Sequence, residues 1–142
     1  MVSVCDTLSA ISNDKSFVLF NTIALAYGNT DLPIIRLKLT RRQYYSRMCA
    51  LINAGLVIRR SGNYFLTSFG KVIYDAHLLI GKGIENYWKL KAIDSIELPA
   101  EERNKIIDTL IGDNDMKDIL IGYNKNVAAE NEKIHNNQEL VV

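Results

Sequence analysis

Between Leu32 and Tyr74 the chain contains no aspartate or glutamate, although the full sequence of 142 residues holds sixteen of them. Other absences narrow the field further. Cys5 and Cys49 are the only cysteines and lie far apart in a chain without an export pattern, which excludes a disulfide framework. With His77 and His135 they show none of the short spacings of zinc ligands, so no metal and no cofactor is expected. No apolar run approaches the roughly 18 to 20 residues of a membrane-spanning helix. The N-terminal segment up to Ser16 carries neither a basic leader nor a continuous hydrophobic block, so the expectation is a cytoplasmic protein with no membrane partner. A phosphate-cradling glycine loop, a nucleophile elbow and a paired-carboxylate motif are all missing, which argues against an enzyme.

What the acid-free stretch does hold is eight basic residues: Arg36, Lys38, Arg41, Arg42, Arg47, Arg59, Arg60 and Lys71. The other nine Lys and Arg share the rest of the chain with all sixteen acids, so a formal net charge of +1 conceals a segment of about +8 and a remainder of about −7. A polyphosphate partner responds to local potential, and this segregation points to nucleic acid more strongly than a pI of 7.7 does. The length and an apolar content of 48% suit one compact domain with an extension.

From Asp14 to Tyr27 the residues Phe17, Val18, Phe20, Ile23, Ala24 and Tyr27 recur at steps of three and four, which predicts a helix with one buried stripe, ended by Gly28-Asn29. Residues 32–37, with Pro33 near the start, read as a short second helix. Thr40 and Gln43 form a capping box for a helix over 41–53, with Tyr44, Met48, Leu51 and Ile52 on the inner face and Arg42, Gln43, Ser46, Cys49 and Asn53 on the outer. Gly55 suits the left-handed residue that closes a helix. Two short strands then flank Ser61-Gly62-Asn63 and read as a hairpin with a basic entering strand.

After the hairpin, apolar positions from Val72 to Ile96 predict one long helix, or two joined near Lys82 where Gly81 and Gly83 interrupt it. Pro99 with Glu101 and Glu102 starts another, and a last short helix runs from Asp115 to Ile121. Past Gly122 the composition turns polar, and 122–142 is expected to be a disordered tail.

Helix, short helix, capped helix ending in Ala54-Gly55-Leu56, basic hairpin, helix: this order resembles the winged helix-turn-helix of small archaeal and bacterial regulators of the ArsR and MarR type. The resemblance is carried by residues 39–48, by Leu51-Ile52-Asn53-Ala54-Gly55-Leu56-Val57, by 58–67 and by Gly70. It implies a mainly α fold with a small β-hairpin wing and a C-terminal helical extension. The division would be a DNA-binding domain over 14–80, a dimerisation or effector extension over 81–121, and the tail.

On that resemblance the chain is a sequence-specific, double-stranded-DNA-binding transcription regulator that acts as a homodimer through the helical region from Gly70 to Leu98. Helix 41–53 would enter the major groove and wing 57–67 would follow the adjacent backbone or minor groove. Arg42, Gln43 and Ser46 are best placed for base edges, with Thr40, Arg41, Tyr45 and Arg47 beside them. Arg59, Arg60 and Asn63 would serve the wing, and Arg36, Lys38 and Lys71 the phosphates. Each role has a plainer counterpart: Tyr44 reads as core, Tyr45 as core or reader, Cys49 as small filler or thiol switch. A winged helix can also serve as a protein-interaction module, or coat DNA without sequence preference.

Overall fold

The computed structural model describes residues 2–29 and 37–139, with side chains described as far as Ile134. It is mainly helical, with seven helices and one two-stranded antiparallel hairpin among the described residues. The expected short helix at 32–37 and Arg36 lie outside the described residues, apart from Leu37, which stands in a turn with Lys38. The chain divides into two compact units, one up to His77 and one from Leu78.

The first unit opens with a helix that the sequence reading did not anticipate, α1 (Val4–Ile11). Ser3 caps it, its hydroxyl accepting from the Asp6 N–H at 3.0 Å, and Thr7 and Ile11 form the buried edge. Two buried residues four apart are too short a pattern to stand out. α2 (Asp14–Ala26) is present as predicted, but its stripe is Ser16, Leu19, Phe20 and Ile23, while Val18 and Tyr27 are exposed. The stripe begins on a polar residue that an arginine from elsewhere holds, so a period taken from apolar residues alone is rotated toward Val18.

α3 (Arg41–Asn53) carries the capping box: the Thr40 hydroxyl accepts from the Gln43 N–H at 3.2 Å, and the Gln43 side-chain oxygen accepts from the Thr40 N–H at 3.1 Å. Tyr44, Met48 and Leu51 are buried, whereas Ile52 is at the edge. Gly55, at φ +76°, closes the helix: its N–H donates to Ile52 and the Leu56 N–H donates back to Leu51, the paired bonds of a Schellman end. β1 (Val57–Arg60) and β2 (Asn63–Leu66) pair in register from Val57 with Leu66 to Arg60 with Asn63. Ser61 and Gly62 both have positive φ, as a two-residue turn matched to strand twist requires. The unit's core joins Leu19, Phe20 and Ile23 to Met48, Leu51, Leu56 and Val57.

α4 (Ser68–Glu85) starts on Thr67, whose hydroxyl accepts from the Gly70 N–H at 2.9 Å and itself donates to the Gly55 carbonyl. Gly81 and Gly83 lie inside this helix, and the interruption comes instead at Asn86, before α5 (Tyr87–Asp94). There the backbone of Asn86 leaves helical geometry (φ −101°, ψ 13°), and its side-chain amide shares the Lys82 carbonyl with its own backbone N–H, at 2.9 and 3.1 Å.

The second unit is built on Ile93, Ile107, Ile111 and Met116, with Leu79, Leu90, Ile106, Leu120 and Ile121 around them. α6 (Ala100–Leu110) begins after Pro99 with Glu101 and Glu102 in its first turn. α7 (Asn114–Glu139) then runs on through the region expected to be a short helix and a tail. Between Gly122 and Glu139 the sequence holds no proline or glycine, and Ala128, Ala129, Glu130, Glu132 and Lys133 are good helix formers, so polarity there does not preclude helix. Asp113 caps α7, accepting from the Met116 N–H at 3.0 Å, and takes an ion pair from Lys82 at 2.7 Å; Lys82 also reaches Asp115 at 3.3 Å.

Gly70→Ala would place a methyl group on the Leu56 carbonyl. Unfolding of the full chain in urea should show a loss of about 1–3 kcal/mol, while Gly122→Ala, where nothing lies within reach of the added carbon, should be neutral or slightly stabilising.

The Lys82 ammonium and the Met116 N–H hold the Asp113 carboxyl below its usual range, and Asp113 and then Asp115 hold Lys82 above its own. The stabilisation by Asp113 is present above the ordinary carboxylate value of about 3.9 and is lost as pH falls through the lowered folded value; that by Lys82 is present below about 10.4 and is lost as pH rises through the raised one. The melting temperature of Asp113→Asn should therefore lie below the parent's on the neutral plateau, and the difference should shrink on strong acidification.

Candidate nucleic-acid interface

The outer surface of α3 is uncompensated positive charge on a rigid support. Arg41, Arg42, Gln43, Tyr45, Ser46 and Cys49 are all exposed, while Tyr44, Met48 and Leu51 hold the helix to the core. The capping box occupies the Gln43 oxygen, which leaves its NH2 group as the outward-facing donor. Thr40 is committed to the same cap, its hydroxyl already bound to the Gln43 N–H. The three ion pairs among the described residues all lie in the second unit, so none neutralises an arginine of the first.

Arg47 is the exception on α3. Its guanidinium turns inward and donates to Asn13 Oδ1 and to Ser16 Oγ, both at 2.9 Å, tying α3 to the start of α2. Its Nε is buried without a partner. These bonds link residues 34 and 31 positions apart, so no local sequence signal could have revealed them.

The hairpin separates two arginines that are adjacent in sequence, because successive side chains on a strand point to opposite faces. Arg59 lies over the Tyr64 ring, 5.8 Å from its centroid, and is near enough to Tyr44 to act on its hydroxyl. Tyr44 and Tyr45 meet edge to face at 5.5 Å. Arg59 thus joins an aromatic cluster shared with α3. Burial, reinforced by the neighbouring tyrosines, keeps the Tyr44 phenol above its ordinary range despite the opposing Arg59 charge. Tyr64 was the residue that the sequence reading passed over. A turn of three residues, Ser61-Gly62-Asn63, would have set it opposite Arg60; the turn is Ser61-Gly62, Asn63 belongs to β2, and Tyr64 therefore faces Arg59.

Arg60 faces the other way. With Lys71 of α4 it borders an open groove of about 920 Å³ floored by Ile23, Ile58 and Phe65, with Asp75 also in the wall. Asn63, opposite Arg60, is half-buried at the turn. Lys38 is exposed, with φ +50°. The expected contact residues therefore fall into an α3 and Arg59 group, an Arg60 and Lys71 group, and Arg47, which is engaged internally.

Among the described residues no group of three or more His, Cys, Asp or Glu side chains is placed to hold a metal ion, and no helix is long and apolar enough to cross a membrane. Cys5 and Cys49 are both free thiols and exposed. No family model matches the chain, and neither does any curated protein or solved structure.

Replacing Arg47 with Ala removes two charge-assisted bonds and leaves Ser16 buried without them. The expected cost is about 1–3 kcal/mol, measured as a lower urea midpoint.

Proposed function

We propose that the first unit is a winged helix-turn-helix that reads double-stranded DNA, and that the protein is a transcription regulator working as a homodimer. α3 is the recognition helix and the hairpin the wing. One observation carries the reading: a capped, core-anchored helix presents Arg41, Arg42, Gln43 and Ser46 outward, with Arg59 of the hairpin drawn to the same helix and, among the described residues, no acidic side chain in ion-pair contact with any of them. A helix of this diameter fits the major groove, where arginine pairs with guanine and the free NH2 of Gln43 can donate to a purine N7.

Within the proposed site the residues have different jobs. Arg42, Gln43 and Ser46, on the exposed face of α3, contact bases. Arg59 sets the wing against the backbone nearest α3. Arg60, Lys71 and Lys38 supply phosphate contacts at the margins, and positioning contacts of this kind carry no sequence information. Arg47 acts through Asn13 and Ser16 by holding α3 at its angle. A dimer requires two half-sites about one helical turn, or roughly 34–36 Å, apart.

Selection of bound fragments from a random duplex pool tests binding, specificity and half-site symmetry together. Arg42→Ala should cost about 1–3 kcal/mol on the selected site and relax preference at one base position. Arg59→Ala should weaken all duplexes alike and reduce the slope of log K against log salt by about 0.9. Binding that is salt-sensitive but indifferent to sequence would indicate DNA coating, and no duplex binding at all would favour an acidic protein partner for the same face.

A further inference from the structure

Among the described residues, two apolar surfaces of the second unit are left exposed. Ile80 and Ile84 stand one turn apart on the last turns of α4, and Tyr87 and Trp88 open α5 directly after the break at Asn86. All four are exposed, Ile84 at 71% and Trp88 at 75%. Gly83 lies beside them with open space where a side chain would stand, although an interior glycine weakens a helix. Among the described residues nothing within 4 Å of an added carbon requires a glycine there. A second backbone approaching closely would.

The other surface is the far half of α7. Met116 and Leu120 pack into the unit's core, and the same face continues through Tyr123, Val127 and Ile134 with no cover. From Lys125 to Ile134 every residue is exposed. A helical stretch of this length is marginal alone in water and takes its stability from packing of its apolar face.

We infer that these surfaces cover each other between two copies of the chain. In a two-fold arrangement α7 of one protomer lies across Ile84, Tyr87 and Trp88 of its partner, with its backbone close to Gly83, and the reciprocal contact follows by symmetry. Charge agrees with this pairing. Lys91 stands over the Trp88 ring at 5.4 Å and has no acidic partner among the described residues. Glu130 flanks the α7 stripe at its centre, between Val127 and Ile134.

Area agrees as well. The seven exposed side chains offer on the order of 1,000 Å² per protomer, which doubled by symmetry exceeds the roughly 1,600 Å² of a standard specific interface. The inference rests on the homodimer in the functional reading and specifies its contact.

Zero-length carbodiimide coupling on the full chain tests it, because an amide between Lys91 and Glu130 forms only if the two groups touch. A mixture of ¹⁴N- and ¹⁵N-labelled protein reports whether the joined peptides come from different chains. The expected result is a dimer in sedimentation equilibrium at micromolar concentration with a mixed-isotope Lys91–Glu130 link. Lys91→Glu and Glu130→Lys should each weaken the dimer several-fold, and the double variant should restore it. Trp88→Glu should give a monomer that still melts cooperatively and still binds a single half-site.

A link only within one chain, or a dimer indifferent to Trp88→Glu and to the charge exchange, overturns the α7 contact while leaving DNA binding intact. A monomeric parent removes the homodimer as well. A dimer with the expected link but no duplex binding leaves this contact standing and sinks the DNA reading alone.

Discussion

Where α3 ends, four elements meet within hydrogen-bond reach. The Leu56 N–H closes α3 by donating to Leu51, and the Leu56 carbonyl accepts from the Thr67 N–H at the end of the hairpin. The Thr67 hydroxyl bonds the Gly55 carbonyl and receives the Gly70 N–H at the start of α4. Gly70 packs so closely on the Leu56 carbonyl that only a residue without a side chain fits. The angle between α3 and the hairpin, and with it the position of Arg59 near Tyr44, is set at this junction. A loose connection would leave the two charged elements free to move apart.

Around that junction the first unit spends little on neutralising its own charge. Its arginines are supported by rings and hydrogen-bond acceptors: Arg59 by Tyr64, Arg47 by Asn13 and Ser16. Neither arrangement cancels a positive charge as a carboxylate would. The field of the acid-free segment therefore persists at the surface, as recognition of a polyanion by the proposed face would require. The second unit follows the opposite rule, and Lys82 and Lys117 are both spent on internal aspartates.

Much of the first unit was legible in the sequence because its signals are local. The Thr40–Gln43 box, the glycine after Ala54 and the turn residues Ser61-Gly62-Asn63 each act over two to five residues, and α3 and the hairpin form there, with Asn63 already in β2 rather than in the turn. Errors arose where the deciding partner was distant. Ser16 is buried because Arg47 bonds it, which displaced the stripe read on α2. In the second unit, glycines suggested a break near Lys82, but the helix runs through them and departs from helical geometry at Asn86. Past Gly122, polar composition concealed a run of good helix formers.

The sequence by itself determined the charge segregation, the capped helix, the hairpin and the extents of α2 and α6, since each depends on residue types within a turn or two of one another. Tertiary structure decided which charges share a face. It separated Arg59 from Arg60 across the strand, drew Arg47 away from the surface of α3, and left the far half of α7 and the turns around Gly83 uncovered. Those outcomes depend on contacts between residues tens of positions apart, and a one-dimensional pattern carries no record of such distances.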